Sequence, residues 1–347
     1  MMNRTIKGIV WGVMLLALVL YPWLFGIYYT NVFVIFAIFA LYAVSYNLLL
    51  GFTGLFSFGH AMFFGAGAYA TALALTHIEG CPLLVALLFG FLGSVVLALL
   101  LSPIVARLAH SAFAMLHLAF SMLMFTLALK LRGITGGEDG IGGFPIPPFR
   151  IPGVVSVDMT DPLNFYYFAI AVLGGSLWIA WFLTKTPFGQ IIVSVRDNDK
   201  RVDYMGFKVP QTKTVIYALS CGFAGVAGSM YAMFQNLISA AALGIGNSFA
   251  PIVMTMVGGV TSFFGPIWGA AIFAIIEELT SRYTERVLLV NGLVLIIVVL
   301  FFPGGFMHLF WLVKAKWLGF IRGKGLGAIK GKWFAKRSGK KATEDDS

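Results

Sequence analysis

Residues 82–108 read PLLVALLFGFLGSVVLALLLSPIVARL, and the first charge in that run is Arg107. The apolar residues are continuous, not alternating, so the stretch cannot turn one face to water as a half-buried strand does. As a helix it is long enough to cross a hydrocarbon core about 30 Å thick. The rest of the chain shares its character. Of the 347 residues, 59% are hydrophobic and 11% are charged, and the mean hydropathy is +0.91. Soluble domains carry roughly 25% charged residues, so a water-soluble fold of this composition would lack the polar surface to cover itself. In lipid every backbone polar group must be paired internally, which leaves helices and closed barrels. Apolar runs of about 15–25 residues favour helices. The sequence therefore predicts an all-α integral membrane protein.

Working outward from 82–108, hydropathy predicts about ten spans, near 9–29, 31–50, 55–77, 82–108, 111–131, 164–184, 214–234, 248–264, 266–280 and 287–302. The eighth and ninth are short, and read equally as a tight helical hairpin or a broken helix. Arg4 and Lys7 precede the first apolar run as in a signal peptide. No small-residue cleavage site follows cleanly, and Tyr21, Pro22 and Trp23 lead into more apolar sequence, so an uncleaved span is expected. Three regions follow from this layout: an N-terminal span in 1–30, a core in 31–306 and a tail in 307–347.

The basic residues orient the layout. With the N-terminus inside, the inner segments hold Arg4, Lys7, Arg107, every Lys and Arg of 185–213 and all those after Pro303. Of the 24 Lys and Arg, this leaves only Lys130, Arg132, Arg150, Arg282 and Arg286 outside. That bias places both termini in the cytoplasm. The net charge of +10 thus reads as membrane orientation, not as a nucleic-acid footprint. The tail interleaves Trp317 and Trp333 with lysines and arginines, as suits a segment lying on anionic lipid. Cys81 and Cys221 offer neither a disulfide framework nor metal-ligand spacing. The outer segment 132–163 is too rich in Gly and Pro to be helical throughout, and is expected to form an ordered external loop, a candidate docking surface.

Two regions are glycine-rich. One runs from Gly51 and Gly54 through Gly59, His60, Gly65 and Gly67; the other holds Gly244, Gly246, Gly258, Gly259, Gly265 and Gly269. Small residues let helices approach closely in lipid, and they permit unwound backbone where protein covers it. In a division of ten spans into two sets of five, the third member of each set is glycine-rich. Five is odd, so the sets cross in opposite senses, giving a possible inverted 5+5 repeat with interrupted helices. Packing alone is the plainer explanation. Candidate residues of a translocation path are Asn47, Gly51, Gly54, Ser57, Gly59, His60, Gly258 and Gly259. His60 earns its place as an ionisable group inside a span, although a neutral histidine bonded to its neighbours would serve structure only.

Between spans six and seven, Thr186 can cap a helix that starts at Pro187. Asp197 or Asn198 can cap a second, shorter helix, which Gly206 can end. Val202 and Met205 are expected on one side of it and charges on the other. Such a rigid element outside the membrane suits a lever that receives a partner's motion; an ordinary charged loop is the alternative. The chain has no GxxxxGK[ST] phosphate loop, no HExxH pair, and no acidic residue near His110 and His117. Neither catalysis, cofactor nor metal is expected of it. Glu277 and Glu278, near an outer span end, read as structural.

Several stretches now align with a known pattern. Asn47-Leu48-Leu49-Leu50-Gly51-Phe52-Thr53-Gly54-Leu55-Phe56-Ser57-Phe58-Gly59-His60, with Phe63-Phe64-Gly65-Ala66-Gly67-Ala68-Tyr69 after it, closely resembles the signature of branched-chain amino acid ABC permeases of the LivM type. The segment Gly189–Gly206 around Arg196-Asp197-Asn198 does so too, as do Ala224–Gly228, Gly258-Gly259 through Gly265-Pro266, and Phe302–Gly305. The resemblance covers about residues 30–306. It implies the pore subunit of a heteromeric importer in a bacterial inner membrane. The partners it implies are a second, LivH-type permease, two cytoplasmic ATPases and a periplasmic binding protein. It also implies that Arg196, Asp197, Asn198, Asp199, Arg201, Val202, Met205 and Gly206 belong to the loop that couples to the ATPases, although the wording departs from the Glu-Ala-Ala motif of other importers. Relatives carry urea, short amides or aromatic acids, so these remain alternative substrates. An ion-coupled secondary transporter would need a carboxylate deep in the spans, and a lipid enzyme would need clustered His, Asp or Glu at one interface; the sequence offers neither.

Overall fold

The computed structural model describes residues 4–105, 108, 110–151 and 155–283, with 289, 290, 292, 293 and 296 beyond them. The tenth expected span and the basic tail lie outside the described residues, apart from those few positions. The first element, α1 (Arg4–Thr53), is interrupted at Gly26, whose φ of 79° and ψ of 173° are not helical. Tyr21 and Phe33 have ring centroids 4.9 Å apart. Twelve residues of straight helix would cover about 18 Å, so the helix is kinked at Gly26. The kink lies a few residues before 29–31, where the sequence places a boundary between spans, at a residue type that takes such a backbone without strain.

Among the described residues five helices are long and apolar enough to cross a membrane. They are 16–53 of α1, counted across the kink at Gly26, α3 (Leu83–Val105), Ser111–Lys130 of α4 (His110–Lys130), α6 (Pro162–Lys185) and α9 (Val209–Gln235). The exposed residues of α3 include Leu84, Leu88, Leu92, Val96 and Leu100, successive positions four apart on one face. Lipid accepts that stripe and water would not. The chain is a multi-pass membrane protein.

The interior is held by close backbone approach and hydroxyls. Helix α2 (Ala61–His77) packs against both α3 and α9, which also pack against each other. At its crossing with α9, a side chain on Gly67 would collide with the Gly225 backbone. Around that crossing Thr71 Oγ1 donates to Ser229 Oγ at 2.7 Å, and Ser94 Oγ donates to the Phe63 carbonyl at 2.7 Å. Cys221 is fully buried on α9.

The third span departs from its expected form. Residues 55–77 are not one helix: Gly54 turns out of α1 with φ 72°, residues 54–60 are non-helical, and α2 begins only at Ala61. The eighth and ninth spans form a tight helical hairpin. Helix α10 (Ile245–Gly258) is 14 residues long, Gly259 leaves it with φ 110°, and α11 (Gly265–Tyr283) returns alongside. The 14 residues of α10 cover about 21 Å, short of the hydrocarbon core.

The loop 132–163 is ordered where described. It contains α5 (Arg132–Thr135), β1 (Ile141–Gly142), and a hairpin of β2 (Phe149–Ile151) and β3 (Val155–Val157). Strand β1 pairs antiparallel with β4 (Leu237–Ile238), just after α9, and a short 3₁₀ turn (Ala240–Leu243) leads on to α10. Asp161 caps α6, accepting from the Leu163 N–H at 3.0 Å.

Candidate functional site

The candidate path residues gather where two non-helical segments meet. Asn47 is buried near the end of α1, and its Nδ2 donates to the Ser262 carbonyl at 3.2 Å, in the turn between α10 and α11. Gly51, one helical turn later, backs onto the Val260 carbonyl and leaves no room for a side chain. Gly54 closes α1 with a left-handed cap, its N–H on the Leu50 carbonyl at 3.1 Å. Ser57 and Gly59 are buried in the non-helical stretch. A side chain on Gly59 would strike the His117 backbone of α4, and one on Gly258 the Gly265 carbonyl. Gly258 and Gly259 form the hairpin's turn, so the structure brings both glycine-rich regions to one place.

His60 is fully buried. Its Nε2 lies 3.0 Å from Ser45 Oγ, Ser45 Oγ also donates to the Tyr42 carbonyl at 2.7 Å, and Ser220 Oγ donates to the Ser45 carbonyl at 2.6 Å. The Ala61 N–H donates to Ser248 Oγ at 3.2 Å, joining the start of α2 to the first turns of α10. A second buried histidine, His117, sets Nε2 2.7 Å from Tyr217 Oη and Nδ1 2.9 Å from the Phe113 carbonyl. Its partners are its own helix and α9. Asn47 Oδ1, His60 Nδ1 and Tyr46 Oη are buried without a hydrogen-bond partner among the described residues. Tyr46 escaped sequence reasoning because a tyrosine in an apolar run carries no signal of its own.

Two helices follow α6 at the opposite end of α9 from β4. Helix α7 (Pro187–Asp197) begins at the Thr186 cap, with Pro187 in its first turn, and α8 (Asp199–Tyr204) begins at Asn198, whose Oδ1 accepts from the Arg201 N–H at 2.9 Å. Gly206 ends the unit with φ 89°, and its N–H donates to the Asp203 carbonyl at 2.9 Å. Val195, Val202 and Val209 bury themselves together, and Lys213 on α9 reaches Asp199 at 3.7 Å. The pair is thus seated on α9. Val202 and Met205 do not share a side: Val202 is 3% exposed and Met205 69% exposed. Met205 is the C-cap of α8, its N–H on the Arg201 carbonyl at 3.2 Å. Tyr204, Met205 and Phe207 are exposed together, an apolar knob among Arg201, Asp203 and Lys208.

Arg196 bonds beyond its own helix: Nη1 donates to the Gly51 carbonyl at 2.7 Å, while Nε and Nη2 each donate to Asp197 Oδ1 at 3.0 Å.

A family model described as the permease component of the branched-chain amino acid transport system matches residues 28–302. The chain belongs to this family. The LivM permease of the high-affinity branched-chain amino acid transport system of Salmonella typhimurium is 26% identical over 288 residues, covering 78% of this chain and 68% of that one. LivM of Escherichia coli K12 is 25% identical with the same coverage. LivH of Salmonella typhimurium is 22% identical over 286 residues, covering 78% of this chain and 91% of that one. No solved structure matches the chain. The family match includes both non-helical segments and the α7–α8 pair, and stops before the basic tail.

Proposed function

We propose that this chain is the LivM-type pore subunit of an ATP-driven, binding-protein-dependent importer of branched-chain amino acids, with α7 and α8 as the docking site of a separate ATPase. The observation that carries the reading is the capped, buried-based helix pair with its exposed knob of Tyr204, Met205 and Phe207. A knob of this kind fits a groove on a partner, and the packed base passes force to the bundle. Branched-chain substrates are favoured by what the LivM and LivH relatives carry. A LivH-type second permease completes the pore, and the binding protein presents the substrate outside.

In this reading the chain crosses an inner membrane about ten times, with both termini and the α7–α8 pair in the cytoplasm, and the loop 132–163 facing the binding protein. The core is 31–306, the first span lies within 1–30, and the tail 307–347 lies on anionic lipid. The third and eighth expected spans, near 55–77 and 248–264, are the corresponding members of an inverted repeat. Asn47, Gly51, Gly54, Ser57, Gly59, His60, Gly258 and Gly259 border the path. The unpartnered Asn47 Oδ1 and His60 Nδ1 supply polar atoms there, and a zwitterion passing through would meet neutral groups. Among the described residues the buried polar side chains are Ser, Thr, Asn and His, without Asp or Glu, a set that suits an ATP-driven path better than an ion-coupled one.

The test uses the assembled transporter in proteoliposomes. Uptake stops when the ATPase is inactivated, and the double substitution Tyr204→Asp, Met205→Asp strips the ATPase from the complex. Uptake by this chain without ATP would refute the importer, and full retention of the ATPase by the double variant would refute the docking site.

A further inference from the structure

We propose that Arg196 is a positioning residue of the transport cycle, a strut that ties α7 to the non-helical segment 54–60, and not a contact to the motor. The inference rests on reading α7 and α8 as the docking unit. Four features support it. First, the guanidinium is fixed by its fork: Nε and Nη2 share Asp197 Oδ1, and Nη1 points away to the Gly51 carbonyl 145 residues earlier in the chain. Second, that acceptor lies in the last turn of α1, where carbonyls lack helical partners and the helix end carries partial negative charge. The Gly54 and Leu55 N–H groups close the turn on Leu50 and Leu49, each at 3.1 Å, and the Gly51 carbonyl is met by Arg196.

Third, the chain leaves helical geometry only three residues beyond Gly51, so a pull on this carbonyl acts where the backbone yields most easily. Fourth, the same turn is pressed from the other side by the α10–α11 turn: Gly51 abuts the Val260 carbonyl, and Asn47 Nδ2 holds the Ser262 carbonyl. Arg196 therefore grips the one turn of α1 that touches both non-helical segments. The valine base and Lys213 seat the docking unit on α9; Arg196 gives it a second anchor, on α1. Movement of the unit then shears α1 against α9 at the level of the breaks.

The experiment places Arg196→Met and Arg196→Lys in the complete transporter and reads two quantities: ATPase subunits retained on purification, and substrate imported per ATP hydrolysed. For Arg196→Met, the ATPase subunits stay at full stoichiometry and the import-to-hydrolysis ratio falls about tenfold, the scale of one lost charge-assisted hydrogen bond. Arg196→Lys keeps a cation near the helix end but not the fork, and recovers part of the ratio. An unchanged ratio in Arg196→Met overturns the strut, and so does loss of the ATPase subunits, which would make the guanidinium a docking contact. If Arg196→Met does not accumulate in membranes, Asp197→Asn decides: it keeps the guanidinium and loosens its brace, lowering the ratio about threefold, and an unchanged ratio there refutes the proposal. Failure of the docking reading itself shows separately, as ATPase retention by the Tyr204→Asp, Met205→Asp variant.

Discussion

Replacing Gly206 separates backbone conformation from packing at the docking unit. Its φ of 89° lies in the left-handed region, and a Cβ built there meets nothing within 4 Å. Gly206→Val therefore creates no clash, and its cost is conformational alone, about 1–2 kcal/mol. At 1.4 kcal/mol per tenfold, that is a weakening of roughly 5- to 30-fold in any equilibrium that requires the native end of α8. The bonds at risk close that end: the Gly206 N–H to the Asp203 carbonyl at 2.9 Å and the Phe207 N–H to the Val202 carbonyl at 3.3 Å. Losing them turns Tyr204 and Met205 away from their native direction while the spans stay as they are, because Gly206 is exposed. The assay titrates the ATPase subunit onto the permease pair in nanodiscs and follows thermal unfolding in parallel. The expected result is weaker ATPase binding within that range, with an unaltered unfolding midpoint. Gly206→Asn should fall between glycine and valine, since asparagine tolerates the left-handed region. Equal binding by the glycine and valine forms would refute the reasoning, because the shape of this turn would then be irrelevant to docking.

Two further outcomes follow from the same geometry. Gly269→Ala drives a methyl into the Met254 carbonyl and pries the α10–α11 hairpin apart; overpacking of this kind costs about 1–3 kcal/mol, and it should appear as a lower unfolding midpoint in detergent, whereas an unchanged midpoint would mean that the two helices do not touch there. Lys200→Cys, on exposed α8, should react with a membrane-impermeant maleimide only after cells are opened, while Asp139→Cys in the 132–163 loop should react in intact cells; the reverse pattern would invert the orientation and remove the docking site.

Much of this was legible before the structure, for identifiable reasons. Helices α3, α4, α6 and α9 begin and end within a few residues of their expected positions, because long apolar runs with charge or proline at their ends have one stable form in lipid. The caps at Thr186, Asn198 and Gly206 were legible because each answers a local need of the backbone. The non-helical stretch 54–60 was not: Leu55, Phe56 and Phe58 are as apolar as any span, and hydropathy measures side chains, not whether the backbone beneath them is helical. The contact made by Arg196 is hidden from the sequence for a related reason. Its acceptor is a backbone carbonyl on a distant helix, and no side-chain pattern in the sequence marks a carbonyl as vacant.

The hydroxyls of the interior explain how irregular backbone survives in hydrocarbon. An unpaired amide or carbonyl there costs several kcal/mol, so each break needs partners from another element. Ser248 Oγ accepts the first amide of α2, Ser121 Oγ donates to the Leu243 carbonyl just before α10, and Tyr42 Oη to the Asn247 carbonyl within it. These partners are neutral rotors that swing through a single torsion. A carboxylate or ammonium in the same role would hold one geometry too firmly and would need a counter-charge. The composition of the core, with serine, threonine and tyrosine beside glycine, thus satisfies two demands at once. It pairs the broken backbone, and it leaves those pairs on groups that can turn to a neighbouring carbonyl under the shear of α1 against α9 proposed above.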